Sequence, residues 1–283
     1  MPATATAELV LAAHASGRGV AAFNVITLEH AEAITAAAEQ TGLPVILQIS
    51  ENAVKFHGGR LEPVLAAATA IARASSVAVS LHLDHVEDES LLRAGVAAGV
   101  TSMMFDASRL PYEQNVRATA RITAWAHTHD VWVEAELGEV GGKDGAHAPG
   151  VRTDPAEAAA FTEATAVDSL AVAVGSSHAM TERTAGLDHQ LIARLRKTVG
   201  VPLVLHGSSG VPDGELRRAV TAGMVKVNIG TALNIAFSTA VRDHLTADPA
   251  VVDPRRYLRP AREAMTAAAA HLLRVVAGEP ERP

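Results

Sequence analysis

Short apolar runs recur along the chain at a steady spacing: residues 19–25 (GVAAFNV), 44–50 (PVILQIS), 78–85 (AVSLHLDH), 102–108 (SMMFDAS), 132–138 (WVEAELG), 169–175 (SLAVAVG), 202–208 (PLVLHGS) and 224–230 (MVKVNIG). Each is rich in Val, Ile, Leu and Ala and nearly continuous rather than alternating, the pattern of a strand buried on both faces. Between them lie stretches with helical spacing, such as LEHAEAITAAAEQTG, ESLLRAGVAAG, PYEQNVRATARITAWAHTHD, DPAEAAAFTEAT and LDHQLIARLRKTVG. Several open on Thr, Asp, Ser or Pro and close on Gly, which start and stop helices. Eight such runs alternating with helices predict an α/β fold, a (β/α)8 TIM barrel. The competing closure, a doubly wound open sheet, would carry a glycine-rich dinucleotide fingerprint after the first strand, and AAFNVITLEH has none. One barrel domain is expected over residues 1–283, with an N-terminal helix over 1–17 and a helical extension over 247–283. The proline-rich TADPAVVDPRRYLRP separates that extension from the barrel, and EPERP reads as a frayed tail.

Composition narrows the partners. The 283 residues are 48% apolar and 19% charged, enough for a large core, and the formal net charge of −7 offers no basic stripe for nucleic acid. Cysteine is absent, so no disulfide framework exists and any metal must be held by nitrogen and oxygen ligands. No uninterrupted apolar stretch is long enough for a membrane span, and the start MPATATAELVLAAHASGRG, with Glu8 inside its apolar patch, reads as a helix rather than an export signal. A cytoplasmic protein with a small-molecule substrate, neither nucleic-acid-bound nor membrane-bound, is the expectation.

The chemistry gathers where each run gives way to the next helix, the end at which barrels of this type hold their substrates. In order, these ends carry Asn24, Ser50 and Glu51, Asp84 and His85, Asp106 and Ser108, Glu136, Ser177 and His178, His206 to Gly210, and Asn228 to Thr231. Three of the 13 histidines, His85, His178 and His206, stand at the ends of strands three, six and seven. Three neutral imidazoles with an open fourth position form a catalytic zinc site. Of the others, His14, His30, His127, His129, His189, His244 and His271 fall on predicted helices and read as ordinary helix residues, and His57 and His147 lie in loops. His82 and Asp84 share a strand face, whereas His85 falls where alternation yields to the loop. His82 reads as an inward packing residue or a support for the site. Asp84 reads either as a carboxylate orienting a ligand or, the preferred reading, as the proton acceptor for a substrate hydroxyl. The segments LHGSSGVPDGEL and VNIGTAL, rich in small residues and placed after strands seven and eight, suit an anionic group such as phosphate.

Taken in order and spacing, AFNV, VILQIS, HLDH, TSMMFDAS, PYEQNV, VEAELGEVGG, AVAVGSSH, PLVLHGSSGVP, KVNIGTAL and DPRRYL resemble the class II, zinc-dependent ketose-bisphosphate aldolases over nearly the whole chain. The NIGT and DPRRYLRPAREAM segments are closer to the tagatose-bisphosphate branch. The resemblance implies reversible aldol cleavage of a ketose 1,6-bisphosphate, of fructose or tagatose type, to dihydroxyacetone phosphate and an aldehyde. It implies that His85, His178 and His206 hold zinc, that Glu136 can ligate a displaced metal, and that Asp106 belongs to a second cation site. It assigns Asp84 the hydroxyl proton, Asn24 and Ser50 the reacting end of the substrate, and Gly207, Ser209, Asn228 and Thr231 the phosphate of dihydroxyacetone phosphate. Arg255 matches an arginine that reaches a neighbouring subunit's second phosphate, which implies a homodimer or homotetramer. Zinc replaces the Schiff-base lysine of the other aldolase class; of Lys55, Lys143, Lys197 and Lys226 only Lys226 lies in a predicted strand, and it precedes the strand end.

Three stretches depart from the family pattern. GGKDGAHAPG has Asp144 where the family usually carries a glutamate that moves the enediolate proton, HAMTER supplies Ala179, Thr181 and Glu182 after the zinc histidine, and Val86 follows His85 in place of glycine. An acidic residue such as Glu182 repels a nearby phosphate. These departures admit a modified or singly phosphorylated ketose, or a catalytically impaired metal-binding barrel, as alternatives. A zinc amidohydrolase would need a pair of histidines one residue apart at strand one, where the chain has FNV.

Overall fold

The computed structural model describes residues 4–137, 151–177 and 180–279. Eight strands form a closed, all-parallel barrel in sequential order, β1 (Val20–Asn24), β2 (Val45–Ser50), β3 (Val79–Val86), β4 (Ser102–Phe105), β5 (Trp132–Glu136), β6 (Ser169–Ala171), β7 (Leu203–Leu205) and β8 (Met224–Ile229). The expected TIM barrel is therefore the fold observed, and β8 pairs back onto β1 with Val20 opposite Lys226 and Ala22 opposite Asn228.

Helices cover the outside. α1 (Thr6–Ser16) precedes the barrel, and α2 (Leu28–Thr41), α3 (Glu51–Phe56), α4 (Glu62–Ala74), α5 (Glu89–Ala97), α6 (Tyr112–His127), α7 (Pro155–Thr165), α8 (His189–Thr198), α9 (Asp213–Ala222), α10 (Thr231–Ala247) and α11 (Pro254–Val276) follow in chain order. Outward strand residues such as Phe23, Leu47, Leu83, Met103 and Val133 are buried under helix residues such as Ile34, Leu92, Ile122 and Phe161. That apolar shell explains why the strands read as continuous apolar runs. α1 plugs the N-terminal mouth: Leu9, Val10 and Ala13 pack on Val20, Ala22, Ile46 and Val225, and the Thr6 hydroxyl donates to Ser80 Oγ at 3.1 Å.

Two details differ from the sequence reading. The proline-rich break ends at Asp253, because Asp253 caps α11 by accepting from the Arg255 NH at 3.0 Å and Pro254 occupies the first helical position, where no NH is missed. Seven residues expected to be irregular are thereby helical, with Pro260 inside α11. His129 lies just past α6 rather than on it. Among the described residues, no helix is long and apolar enough to cross a membrane.

Candidate functional site

The C-terminal mouth is built on a bulge in β3. Leu83 pairs with Met103 and Val86 with Phe105, so Asp84 and His85 together oppose the single residue Met104. His85 has φ of 47°, in the left-handed region that a side chain beyond glycine enters at a cost. The extra residue breaks the alternation of sides, and both Asp84 and His85 can face the mouth. Glu51, the first residue of α3, holds the chain just beyond: its carboxylate accepts the NH groups of Glu87 at 2.7 Å and Asp88 at 3.1 Å.

Asp84 sits in a clamp of amides. Asn24 Nδ2 donates to Oδ2 at 2.9 Å, Gln48 Nε2 to the same oxygen at 3.3 Å, and Asn228 Nδ2 to Oδ1 at 3.3 Å. Gln48 also donates to Asn24 Oδ1 at 3.1 Å, which fixes the orientation of that amide. Asp84 is 2% exposed. Burial alone would raise its pKa, but the neighbouring His85, Lys226 and His206 outweigh it and hold the carboxyl below its ordinary range.

The two imidazoles meet edge to face, His85 and His206 having ring centroids 4.7 Å apart. His85 Nδ1 is bound to Asp106 Oδ2 at 2.7 Å, and Asp106 is held in turn by the Ser108 NH at 3.1 Å and hydroxyl at 2.6 Å. Burial works against a charge on His85, yet Asp84, Asp106 and Glu136 push its pKa up to about 10. His206 is fully buried with carboxylates at both ring nitrogens, Glu134 Oε1 2.9 Å from Nε2 and Glu136 Oε2 3.2 Å from Nδ1. Its pKa is also raised, burial being overcome by these two carboxylates.

That arrangement tests whether a metal fits. A neutral imidazole has one NH and one lone pair, so it satisfies one carboxylate and is repelled by the second. The ring is stable between Glu134 and Glu136 only with a further positive charge, a proton or a metal ion. Asp84, His85 and His206 bring one donor atom each within 4.8 Å of one another, and His85, Asp106 and Glu136 do the same. These overlapping sets of nitrogen and oxygen donors, rich in negative charge and free of sulfur, fit a divalent cation such as zinc. His178 and Asp144 lie outside the described residues.

On the other side of the mouth, Gly207 takes φ of 64° to enter a short turn, Ser208–Gly210. Ser209 Oγ accepts from the Ala232 NH at 3.1 Å, tying that turn to the first residues of α10, where Gly230 is the cap and Thr231 the first helical residue. A 17-residue helix thus aims its N-terminus at the loops expected to take phosphate. A Cβ on Gly230 would lie 2.8 Å from Asn24 Oδ1, so the absence of a side chain there lets the amide clamp close.

Several expected residues have additional or different engagements. The Asn228 side chain is committed inside the barrel, accepting from Lys226 Nζ at 2.8 Å and donating to Asp84 at 3.3 Å, while its carbonyl accepts from the Ser208 hydroxyl at 2.5 Å. The Ser50 hydroxyl accepts from the Ala53 NH at 3.2 Å as the cap of α3. Arg255 is exposed and forks onto Asp253, Nε to Oδ1 at 3.0 Å and Nη2 to Oδ2 at 2.8 Å. In the sequence, Gln48 and Glu134 are not singled out and Lys226 is considered only as a nucleophile, although each lies two residues before a recognised strand-end residue and hence on the same inward face. Beside them His82 is buried, its Nδ1 2.6 Å from Ser102 Oγ, and burial together with Lys226 pushes its pKa down to about 3.

The family model for class II fructose-bisphosphate aldolase matches residues 4–279. A curated relative from Bacillus subtilis (strain 168), named "Probable fructose-bisphosphate aldolase", is 40% identical over 269 residues, covering 94% of each chain. The crystal structure of the YdjI aldolase from Escherichia coli K12 superposes with a TM-score of 0.83 at 29% identity, covering 98% of both chains. A fructose-bisphosphate aldolase structure from Campylobacter jejuni shares the fold with a TM-score of 0.81 at 23% identity, covering 96% of this chain and 94% of that one.

Proposed function

The chain belongs to the class II fructose-bisphosphate aldolase family, a family of metal-dependent lyases, and we propose that it reversibly cleaves a ketose 1,6-bisphosphate of fructose or tagatose type. The products are dihydroxyacetone phosphate and an aldehyde. The observation that carries this reading is the amide-clamped carboxylate of Asp84 beside the His85 and His206 pair. In it, His85, His178 and His206 would hold zinc, with Glu136 able to ligate a displaced metal and Asp106 belonging to a second cation site. Bound zinc supplies Lewis-acid polarisation of the substrate carbonyl.

The remaining steps belong to side chains. Asp84, ionised because its neighbours favour the anion, accepts the proton of the C4 hydroxyl. The O–H electron pair becomes the aldehyde C=O, and the C3–C4 bonding pair stays on the dihydroxyacetone phosphate half as the enediolate. Asp144 returns a proton to C3. Asn24 and Ser50 orient the reacting end, and the N-terminus of α10 with the loops that hold Gly207, Ser209, Asn228 and Thr231 receives the phosphate. Residues 1–283 act as one barrel domain. Exposed apolar side chains at Ile235 and Leu245 on α10 and at the 90% exposed Val252 support a homodimer or homotetramer, with Arg255 three residues beyond Val252 reaching the neighbouring subunit's phosphate.

Cleavage of fructose and tagatose 1,6-bisphosphates, assayed with metal content and with and without chelator, tests the proposal. Chelator is expected to abolish turnover and added zinc to restore it, and the faster sugar names the C4 epimer. Bound zinc with no cleavage of either sugar rejects the bisphosphate reading. Glu182, exposed just after the loop of β6, favours a second reading in which the ketose is modified or singly phosphorylated; zinc-dependent cleavage of such a sugar alone would establish it. Gly230→Ala pushes on Asn24 and misaligns Asp84, so kcat should fall by about 10²-fold with the metal retained, measured by steady-state kinetics and metal analysis.

A further inference from the structure

A buried ammonium lies beneath the site. Lys226 on β8 has a side chain 1% exposed, and its Nζ donates to Glu134 Oε2 and to Asn228 Oδ1, both at 2.8 Å. Each partner touches a different part of the site. Glu134 uses its other oxygen on His206 Nε2 at 2.9 Å, and Asn228 uses its amide nitrogen on Asp84 Oδ1 at 3.3 Å.

We infer that Lys226 is a positioning residue that sets both the metal-facing nitrogen of His206 and the orientation of Asp84, resting on the assignment of those two residues above. Asn228 lies between an ammonium and a carboxylate, and only one amide orientation gives oxygen to the cation and NH to the anion. Reversing the amide would turn both contacts repulsive, so the cation determines that Asp84 receives a donor. On the other branch, an ionised Glu134 must accept at His206 Nε2, which places the ring NH there and the lone pair at Nδ1, on the Glu136 side. Glu134 is completely buried, and Lys226 is the fixed cation that allows it to stay ionised.

A Schiff-base role for this lysine would need its nitrogen unprotonated and open to substrate. Donation to two acceptors in a sealed layer is the opposite situation, so the lysine acts through its neighbours.

The test is Lys226→Met in the full-length enzyme, read by zinc affinity in chelator competition and by the separation of kcat from KM. Zinc affinity is expected to fall by about 10–100-fold, the range for loss of a group supporting a metal ligand. At saturating zinc, kcat should still fall by about tenfold or more with KM little changed, because Asp84 has lost its orientation. Asn228→Ala should lower kcat with zinc affinity retained, and its effect on kcat should not add to that of Lys226→Met, since both act along one chain of contacts. Should the buried charge left on Glu134 prevent folding, Lys226→Met/Glu134→Gln removes both charges and should still lower kcat. Unchanged zinc affinity and unchanged kcat in Lys226→Met, or unchanged kcat in the paired variant, overturn the inference. If the unmodified enzyme binds zinc but cleaves no phosphorylated ketose, the functional reading fails, whereas the zinc affinity of Lys226→Met still decides the His206 branch.

Discussion

Asp84→Asn is expected to retain zinc and to lower cleavage by about 10²–10⁴-fold, the range for a general base. The substitution keeps the volume of the side chain, so the β3 bulge and the barrel wall need not move. It changes the chemistry in two ways. The amide nitrogen has no lone pair able to take the hydroxyl proton, and three amide donors, from Asn24, Gln48 and Asn228, now face a group that is itself half donor. At least one of those contacts becomes donor against donor. The measurement is kcat with metal content on the same sample. Because Asp84 also lies within reach of the His85 and His206 donor atoms, an alternative outcome is informative. If activity is lost together with the metal and returns at saturating zinc, Asp84 is a ligand and not the base.

His206→Ala is expected to empty the metal site, and activity should not return on addition of zinc. The side chain is 0% exposed, so its removal leaves a cavity that is not filled by solvent at the surface. It also strips Glu134 and Glu136 of the group that satisfies both. Two buried carboxylates face each other across the gap, which costs stability as well as function. Metal analysis, cleavage and thermal melting together distinguish the outcomes. Stoichiometric zinc with retained turnover would remove His206 from the site, and a lowered melting point with normal zinc content would assign it a purely structural role.

The barrel was legible because burial on both faces writes each strand as an apolar run, and because polarity collected at one end of every run. Asp84, His85, Asp106, Glu136 and His206 do converge there, from the ends of four strands, β3, β4, β5 and β7. The bulge that lets consecutive residues share the mouth was only partly foreseen: nothing in LDHV specifies a left-handed residue at His85, whose backbone is set by pairing with β4. The layer below escaped notice for a different reason. Gln48, Glu134 and Lys226 stand within the strands, where a polar residue is invisible to a scan of strand ends, and their meaning depends on pairing across the barrel. The reach of Lys226 toward substrate decides only against a nucleophile, whereas its place two residues before Asn228 already puts it on the inward face. The early start of α11 was hidden by prolines that break helices in their middle but begin them well.

The Lys226 and Glu134 pair also has a consequence for how the chain is made. Its members are 92 residues apart, so at a synthesis rate of about 5–20 residues per second Glu134 leaves the ribosome ~5–20 s before its cation exists. Removing a lone carboxylate from water costs several kcal/mol. The nascent half-barrel therefore keeps its interior wet, and drying is deferred until β8 arrives with the ammonium. One strand then completes the ladder to β1 and supplies the cation in the same event, so closure of the barrel and drying of the interior that performs the chemistry are tied to a single strand.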